Sequence, residues 1–116
     1  MKVLCATAAV LIAATFVSVA KADSTVRPPW MSRFAWAVGI CETGKGHRYP
    51  DFRHHSGSYE GFSGWYSGTW DADKPRGAPD HAYQASPRQQ YQAFLTGRAR
   101  GRYWGCIANG GYRGWM

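Results

Sequence analysis

The chain has 116 residues and a formal net charge of +7, from 14 basic and 7 acidic side chains, and 16% of its residues are aromatic. This length accommodates one small domain and excludes a multidomain organisation of the chain. No block of like charges is long enough to form a nucleic-acid-binding arm, so nucleic acid is not an expected partner. The many Trp, Tyr and Phe residues instead favour a groove in which sugar rings stack on aromatic side chains.

The first 22 residues have the pattern of a secretory signal peptide. Lys2 provides a positive start, residues 3–19 are apolar, and Ala20-Lys21-Ala22 is a small-x-small cleavage site. The alternative is an uncleaved membrane anchor, because the apolar run approaches the roughly 18 to 20 residues that span a bilayer. We expect cleavage after this site, a secreted or cell-wall location, and no stable membrane insertion. Residues 23–116 then carry 12 basic and 7 acidic side chains, a net charge of +5 that favours polyanions, which outside the cell are anionic wall polymers and lipid headgroups.

Removal of the signal peptide takes Cys5 with it and leaves Cys41 and Cys106. In a secreted chain an even pair of cysteines predicts a disulfide, with two free thiols as the alternative. The bridge would close a loop of about 65 residues and stabilise the domain by about 4 kcal/mol. A domain this small needs such a crosslink, because its core alone is marginal.

The first predicted element follows an N-terminal arm over residues 23–33. Ser32 is placed to cap a helix whose apolar positions continue to Cys41, and Gly44 is expected to end it. Residues 45–60 are rich in turn formers and lead into a short, irregular hairpin around residues 58–66.

The second half of the chain is expected to be helical. Thr69 and Trp70 open a short helix or turn, and Ser86-Pro87-Arg88-Gln89 predicts a helix start with a capping box. Gly97 is the predicted stop of that helix, and residues 107–116 are expected to form a loose tail. The predicted fold class is therefore α+β, a small domain that is mainly helical with a short β-hairpin and one disulfide.

Glu42 is the leading candidate for a catalytic residue. It arrives at the end of a segment in which Trp36, Val38 and Ile40 are predicted to lie in the core. Apolar surroundings raise the pKa of a carboxyl group, and a raised pKa keeps the acid protonated for general-acid catalysis near neutral pH. The alternative is an ordinary surface glutamate at a helix C-terminus.

Several fragments, taken in order, resemble the transglycosylase-like domain of the resuscitation-promoting factors. The resemblance covers about residues 34–106 and is specific because the order and spacing of the fragments agree. The fragments are Cys41-Glu42-Thr43-Gly44, Tyr59-Glu60-Gly61, Gly68-Thr69-Trp70, Ala85-Ser86-Pro87-Arg88-Gln89-Gln90 and Trp104-Gly105-Cys106.

The resemblance implies a lysozyme-like fold and cleavage of the β-1,4 bond between N-acetylmuramic acid and N-acetylglucosamine in peptidoglycan. Glu42 matches the family's catalytic glutamate, and Cys41 with Cys106 matches its disulfide. The expected substrate contacts are Tyr59, Trp65, Thr69 and Trp70, of which the last two match a pair beside the family's glycan groove. No cofactor is implied, and a monomer is expected.

Glu60 is the candidate for a second carboxylate, with a structural role in the hairpin as the alternative. The choice matters because a second carboxylate supports hydrolysis by water, whereas a single acid suits capture by the sugar's own C6 hydroxyl, which gives an anhydro-sugar. The chain departs from the family at Gly64, where a glutamine is common, which puts the substrate subsites in question.

Other chemistries are disfavoured by spacing. His47, His54, His55 and His81 lack the spacing of a zinc site, so no metal is expected. The segment Gly61-Phe62-Ser63-Gly64-Trp65 lacks the last glycine of a serine-hydrolase elbow. The basic run over residues 98–102 is either a solvated face or an anchor for anionic wall polymer. Two other functions stay open: a glycan-binding module that has lost turnover, and a small cationic exported protein that acts on membranes or on a partner.

Overall fold

The computed structural model describes residues 25–116, so the predicted signal peptide lies outside the described residues. This part of the chain forms four α-helices, one two-stranded antiparallel hairpin and two 3-10 turns, Ala82–Gln84 and Gly111–Trp115. The remaining elements in chain order are α1 (Arg33–Thr43), β1 (His55–Ser56), β2 (Tyr59–Glu60), α2 (Ser67–Asp73), α3 (Pro87–Ala99) and α4 (Gly105–Ala108). The predominantly helical architecture with one hairpin and one disulfide confirms the coarse α+β prediction.

Helix α1 forms as its sequence predicts. The Ser32 hydroxyl accepts a hydrogen bond from the backbone N–H of Ala35 at 3.1 Å, and the N–H of Gly44 donates to the carbonyl of Ile40 at 2.8 Å. Residues 35–40 are all buried, so the helix runs through the core instead of lying on the surface. Its last turn therefore delivers Cys41 and the residues after it to a fixed position.

The hairpin is short, and the segment that follows β2 turns back to pair with its last residue, Glu60. His55 pairs with Glu60 in the β1–β2 register, and Glu60 also exchanges two backbone hydrogen bonds with Trp65. Gly61 starts the turn between these two residues with φ of +78°, a left-handed conformation that favours glycine. A Cβ at this position would also lie 2.9 Å from the Cβ of Ala82. Both the backbone conformation and the close packing therefore require glycine here.

A buried glutamine on α3 joins the hairpin loop to the rest of the domain. Gln90 is fully buried, and its side-chain oxygen accepts from the N–H of Phe62 at 2.8 Å. Its amide nitrogen donates to the carbonyls of Phe52 at 2.8 Å and Ala85 at 3.0 Å. Gln90 thus satisfies three backbone groups that would otherwise be unpaired in the interior.

The start of α3 is confirmed, but its predicted end is wrong. Ser86 and Gln89 form a reciprocal capping box. The helix then continues past Gly97 to Ala99. Gly97 is required by packing rather than by a helix stop, because a Cβ there would lie 2.7 Å from the ring of Trp104.

Within residues 25–116, half of the fourteen buried core residues are aromatic: Trp36, Phe52, Phe62, Trp65, Trp70, Phe94 and Trp104. Met31, within the expected N-terminal arm, is buried among them. The expectation of a loose C-terminal tail is wrong, because Ile107 and Tyr112 pack against this core. Tyr112 meets Phe34 edge-on at a ring distance of 5.0 Å, which fixes the last 3-10 turn against α1.

Candidate functional site

A cleft of about 540 Å³ is lined by the end of α1, the hairpin and its loop, α2 and the segment that leads into α4. Four of the residues predicted to form the site line this cleft: Glu42, Tyr59, Trp65 and Thr69. Glu42 is the one carboxylate among the described residues that line it. The fold thus collects residues far apart in sequence around a single acid.

Glu42 is half-buried at the end of α1. Burial disfavours its charged form and raises the pKa of the carboxyl group, while a hydrogen bond from the backbone N–H of Cys106 to Oε2, at 3.0 Å, lowers it. Burial is the larger of the two effects, so the pKa lies above its usual range. Such a carboxyl group is suited to donating a proton to a bound substrate.

The predicted disulfide is confirmed, and it lies directly behind the acid. Cys41 precedes Glu42 in the chain and is bonded to Cys106, which itself supplies the N–H that contacts the carboxylate. The crosslink therefore holds the donor and the acceptor of this hydrogen bond together. The carboxyl group is fixed in the cleft wall by covalent geometry and by the last turn of α1.

Exposed tyrosines surround the opening of the cleft. The hydroxyl groups of Tyr59 and Tyr66 are 2.7 Å apart, their rings are 4.6 Å apart, and the residues are 45% and 53% exposed. The hydrogen bond with Tyr66 is the main cause of a raised pKa at Tyr59. Tyr103, in the lining segment that leads into α4, is 80% exposed. Tyr66 and Tyr103 were not individually predicted, since only the aromatic composition pointed to them.

Two residues of the cleft lining each carry a buried polar atom with no hydrogen-bond partner among the described residues. The two atoms are the indole nitrogen of Trp65 and the hydroxyl of Ser63, two residues apart in the loop after the hairpin. Buried polar groups are normally hydrogen-bonded, and one left unpaired costs about 1 to 3 kcal/mol. Both residues belong to the cleft lining, but the two atoms themselves have almost no accessible surface.

Glu60 is not among the residues that line the cleft. It is buried, and its carboxylate accepts a hydrogen bond from the N–H of Ala82 at 3.2 Å. The Nδ1 atom of His81 lies 3.0 Å from Oε2, and the Nε2 atom of His55 lies 3.7 Å from the same oxygen. These contacts tie the hairpin to the 3-10 turn that follows α2, and they direct the carboxylate away from Glu42's cleft.

Trp70 is the predicted substrate contact that the fold places behind the cleft instead of in it. The ring is fully buried, its Nε1 donates to the carbonyl of Pro79 at 2.9 Å, and it packs edge-on against Trp65 at 5.2 Å. A buried ring cannot stack on a sugar, and the same limit applies to Trp65, which lines the cleft but is only 2% exposed. Trp70 supports the wall formed by Trp65, while its neighbour Thr69 reaches the cleft.

Three further lining residues affect the character of the site. Burial, and secondarily the positive charge of Lys45, lowers the pKa of His54, which favours the neutral form of its ring. Arg102 also lines the cleft but is engaged by Asp73. Gly64 has φ of +71° beside the ring of Tyr59, so the position where the resembling family has glutamine carries no side chain here.

Comparison with known proteins adds no relative: no family model, no curated sequence and no solved structure matches the chain. Within residues 25–116 no helix is long and apolar enough to cross a bilayer. The same residues contain no group of three or more His, Cys, Asp or Glu side chains that could hold a metal ion. Any functional assignment therefore depends on the geometry of the cleft and on the sequence fragments.

Proposed function

We propose that this protein is a secreted peptidoglycan-cleaving enzyme with Glu42 as its single general acid, on a lysozyme-like fold related to the resuscitation-promoting factors. The observation that carries the proposal is the position of Glu42. It is half-buried with a raised pKa, and it is the one carboxylate among the described residues of a cleft rimmed by tyrosines. A cleft of about 540 Å³ has the volume for sugar rings, and exposed tyrosine rings offer them flat apolar surfaces.

Protonated Glu42 would donate its proton to the glycosidic oxygen as the bond to the anomeric carbon breaks, leaving an oxocarbenium-like centre on the muramic acid ring. The C6 hydroxyl of that ring then attacks the anomeric carbon and returns its proton to Glu42. Atoms and charges balance without a second carboxylate. Because Glu60 is engaged by Ala82 and His81, this geometry favours the anhydro-forming route over hydrolysis.

The test is mass spectrometry of soluble products from purified peptidoglycan, with the disulfide intact. The wild-type protein is expected to release anhydro-muropeptides. E42Q, which keeps the size of the side chain and an acceptor for the N–H of Cys106, is expected to release none while still binding sacculi. The matched control is E60Q, which alters the other buried glutamate and should give the same products as the wild type.

Two other outcomes would redirect the proposal. Reducing-end muropeptides from the wild type would mean hydrolysis by water. No products from any variant, with binding retained, would favour a glycan-binding module, a function for which the missing side chain at Gly64 is the supporting observation. Loss of products only in E60Q would overturn the assignment of Glu42.

A further inference from the structure

The basic residues of the described chain are unevenly distributed. Residues 25–41 and 85–116 contain seven arginines and no acidic residue, whereas residues 42–84 contain five basic and six acidic residues. The two basic segments pack together, because Phe34 contacts Phe94 and Tyr112. The net positive charge is therefore concentrated on the part of the domain built from α1, α3 and the last 3-10 turn.

Three arginines in this part lie over aromatic rings. The guanidinium carbon of Arg88 is 4.9 Å from the centre of the Trp30 ring, that of Arg98 is 5.0 Å from Phe34, and that of Arg113 is 5.5 Å from Tyr112. We call these six residues the arginine-aromatic face. Cation–π contacts of this kind hold a guanidinium group in place without using its N–H donors.

The arginines of this face differ from their neighbours in sequence. Arg100 and Arg102, in the same basic run as Arg98, are both bound to the buried carboxylate of Asp73. Among the described residues Arg88, Arg98 and Arg113 have no acidic partner, and all three are exposed. In the basic run of residues 98–102, Arg98 therefore has no acidic partner among the described residues, whereas Arg100 and Arg102 form ion pairs with Asp73.

The spacing of the free guanidinium groups indicates the shape of a ligand. Arg88 and Arg98 are ten residues apart on α3, which corresponds to about 15 Å along the helix axis. A single anion cannot reach both, whereas an extended polymer can. The planar guanidinium fork matches a phosphate group in geometry and charge.

We propose that the arginine-aromatic face binds a phosphodiester-linked anionic polymer of the cell wall, separately from the cleft. None of its six residues lines the cleft, so both can be occupied at once. The choice of a wall polymer depends on the proposed cell-wall function, but the binding itself does not require catalysis. A lipid surface fits less well, because the aromatic rings are half-buried beneath the guanidinium groups and are not free to insert.

The test measures binding of the mature protein to soluble poly(glycerol phosphate) at several salt concentrations, with Trp fluorescence as one signal because Trp30 lies in the face. R88Q/R98Q is expected to lower the association constant by about 10- to 100-fold and to reduce the slope of log K against log salt by about 1 to 2. The matched control, R48Q/R76Q, removes two exposed arginines elsewhere and should change binding by less than about threefold. Adding R113Q to the first variant should weaken binding further.

Several outcomes would overturn this proposal. Equal loss in the two double variants would mean that binding depends on net charge alone. Tighter binding to vesicles rich in phosphatidylglycerol than to the polymer, lost in R88Q/R98Q, would identify a membrane surface instead. Equal binding of poly(glutamate) and poly(glycerol phosphate) would remove the phosphate specificity. Because no glycan is cleaved in these assays, their failure would leave the proposed muralytic function standing, and the failure of that function would leave the polymer binding measurable.

Discussion

The surroundings of Glu42 and Asp73 show how one fold treats two carboxyl groups in opposite ways. The Asp73 side chain has no exposed surface and accepts three hydrogen bonds from Arg100 and Arg102, and the bonds from Arg102 are the main reason that its pKa is lowered. Glu42 is less deeply buried but accepts one hydrogen bond from a neutral N–H, and its pKa is raised. Burial raises the pKa of both carboxyl groups. At Asp73 the hydrogen bonds from guanidinium groups outweigh it, whereas at Glu42 the single hydrogen bond from a neutral N–H does not.

Glu60 combines features of both groups: it is buried, as Asp73 is, but its partners are the N–H of Ala82 and the imidazole of His81 instead of a guanidinium group. Its hydrogen bonds hold the hairpin in place and are directed outside the cleft. Comparing the three carboxyl groups separates the one that lines the cleft from the two whose hydrogen bonds hold the structure together.

The largest expected effect comes from removing the proposed proton donor, Glu42. E42Q should lower the rate of glycan release by about 100- to 10,000-fold, because general-acid catalysis contributes about that factor. E60Q should stay within a few-fold of the wild type, since its carboxylate is not in the cleft lining. Rates of soluble muropeptide release measure both. Similar losses in the two variants would mean that the comparison between the glutamates is wrong.

Removing the disulfide should affect stability and the site together. The C41S/C106S variant opens a loop of 65 residues, so the free energy of unfolding should fall by about 4 kcal/mol. Its activity should fall more than that of a surface variant, because Cys106 also supplies the N–H that contacts Glu42. Urea denaturation and muropeptide release, measured below the unfolding transition, test the two effects. Unchanged activity in the folded variant would show that the disulfide does not position the acid.

Replacing Asp73, the carboxylate bound by two arginines, tests the other half of the comparison with Glu42. D73N should lower the free energy of unfolding by about 2 kcal/mol, a value reduced because both arginines reach solvent. The lowered pKa means that this stabilisation is present above the unfolded pKa near 3.9 and is lost as the pH falls through the folded value. The difference between wild type and D73N, measured by thermal unfolding, should therefore shrink below about pH 4. A difference that does not change with pH would contradict the ion pairs.

The smallest expected effect has the opposite pH dependence. Because the pKa of Glu42 is raised in the folded state, protonated Glu42 is favoured and the wild type loses stability as the pH rises through that value. E42Q cannot ionise, so its melting temperature relative to the wild type should increase between pH 4 and pH 8. The shift should be a few degrees at most, because the side chain is only half-buried. A decrease over the same range would mean that the folded state stabilises the carboxylate.

Much of the fold follows from local sequence, because helix caps and apolar runs act over a few residues. Ser32 and the Ser86 capping box predicted the starts of α1 and α3, and the two cysteines predicted the disulfide. The end of α3 was not predictable from Gly97, whose small size serves a contact with Trp104 that comes later in the chain.

The candidate site was predictable in part. The sequence does not show in which direction a side chain points, and so it could not tell which predicted residues reach the cleft. Glu42 was found because an apolar run leads to it. Whether Trp65 or Trp70 reaches the cleft depends on the rotation of α2 against the hairpin, which the sequence does not specify. The pairing of Arg102 with Asp73 spans 29 residues and has no sequence signal either.

The most direct test of the central claim is a titration of the side-chain carboxyl groups by ¹³C NMR in the folded, oxidised protein. We predict that the carboxyl resonance of Glu42 titrates above the usual range for glutamate and that of Asp73 below the usual range for aspartate. In C41S/C106S the pKa of Glu42 should differ from its value in the wild type, because the backbone N–H of residue 106 is no longer held against the carboxyl group. A Glu42 that titrates at or below the ordinary value in the wild type would contradict its assignment as the proton donor.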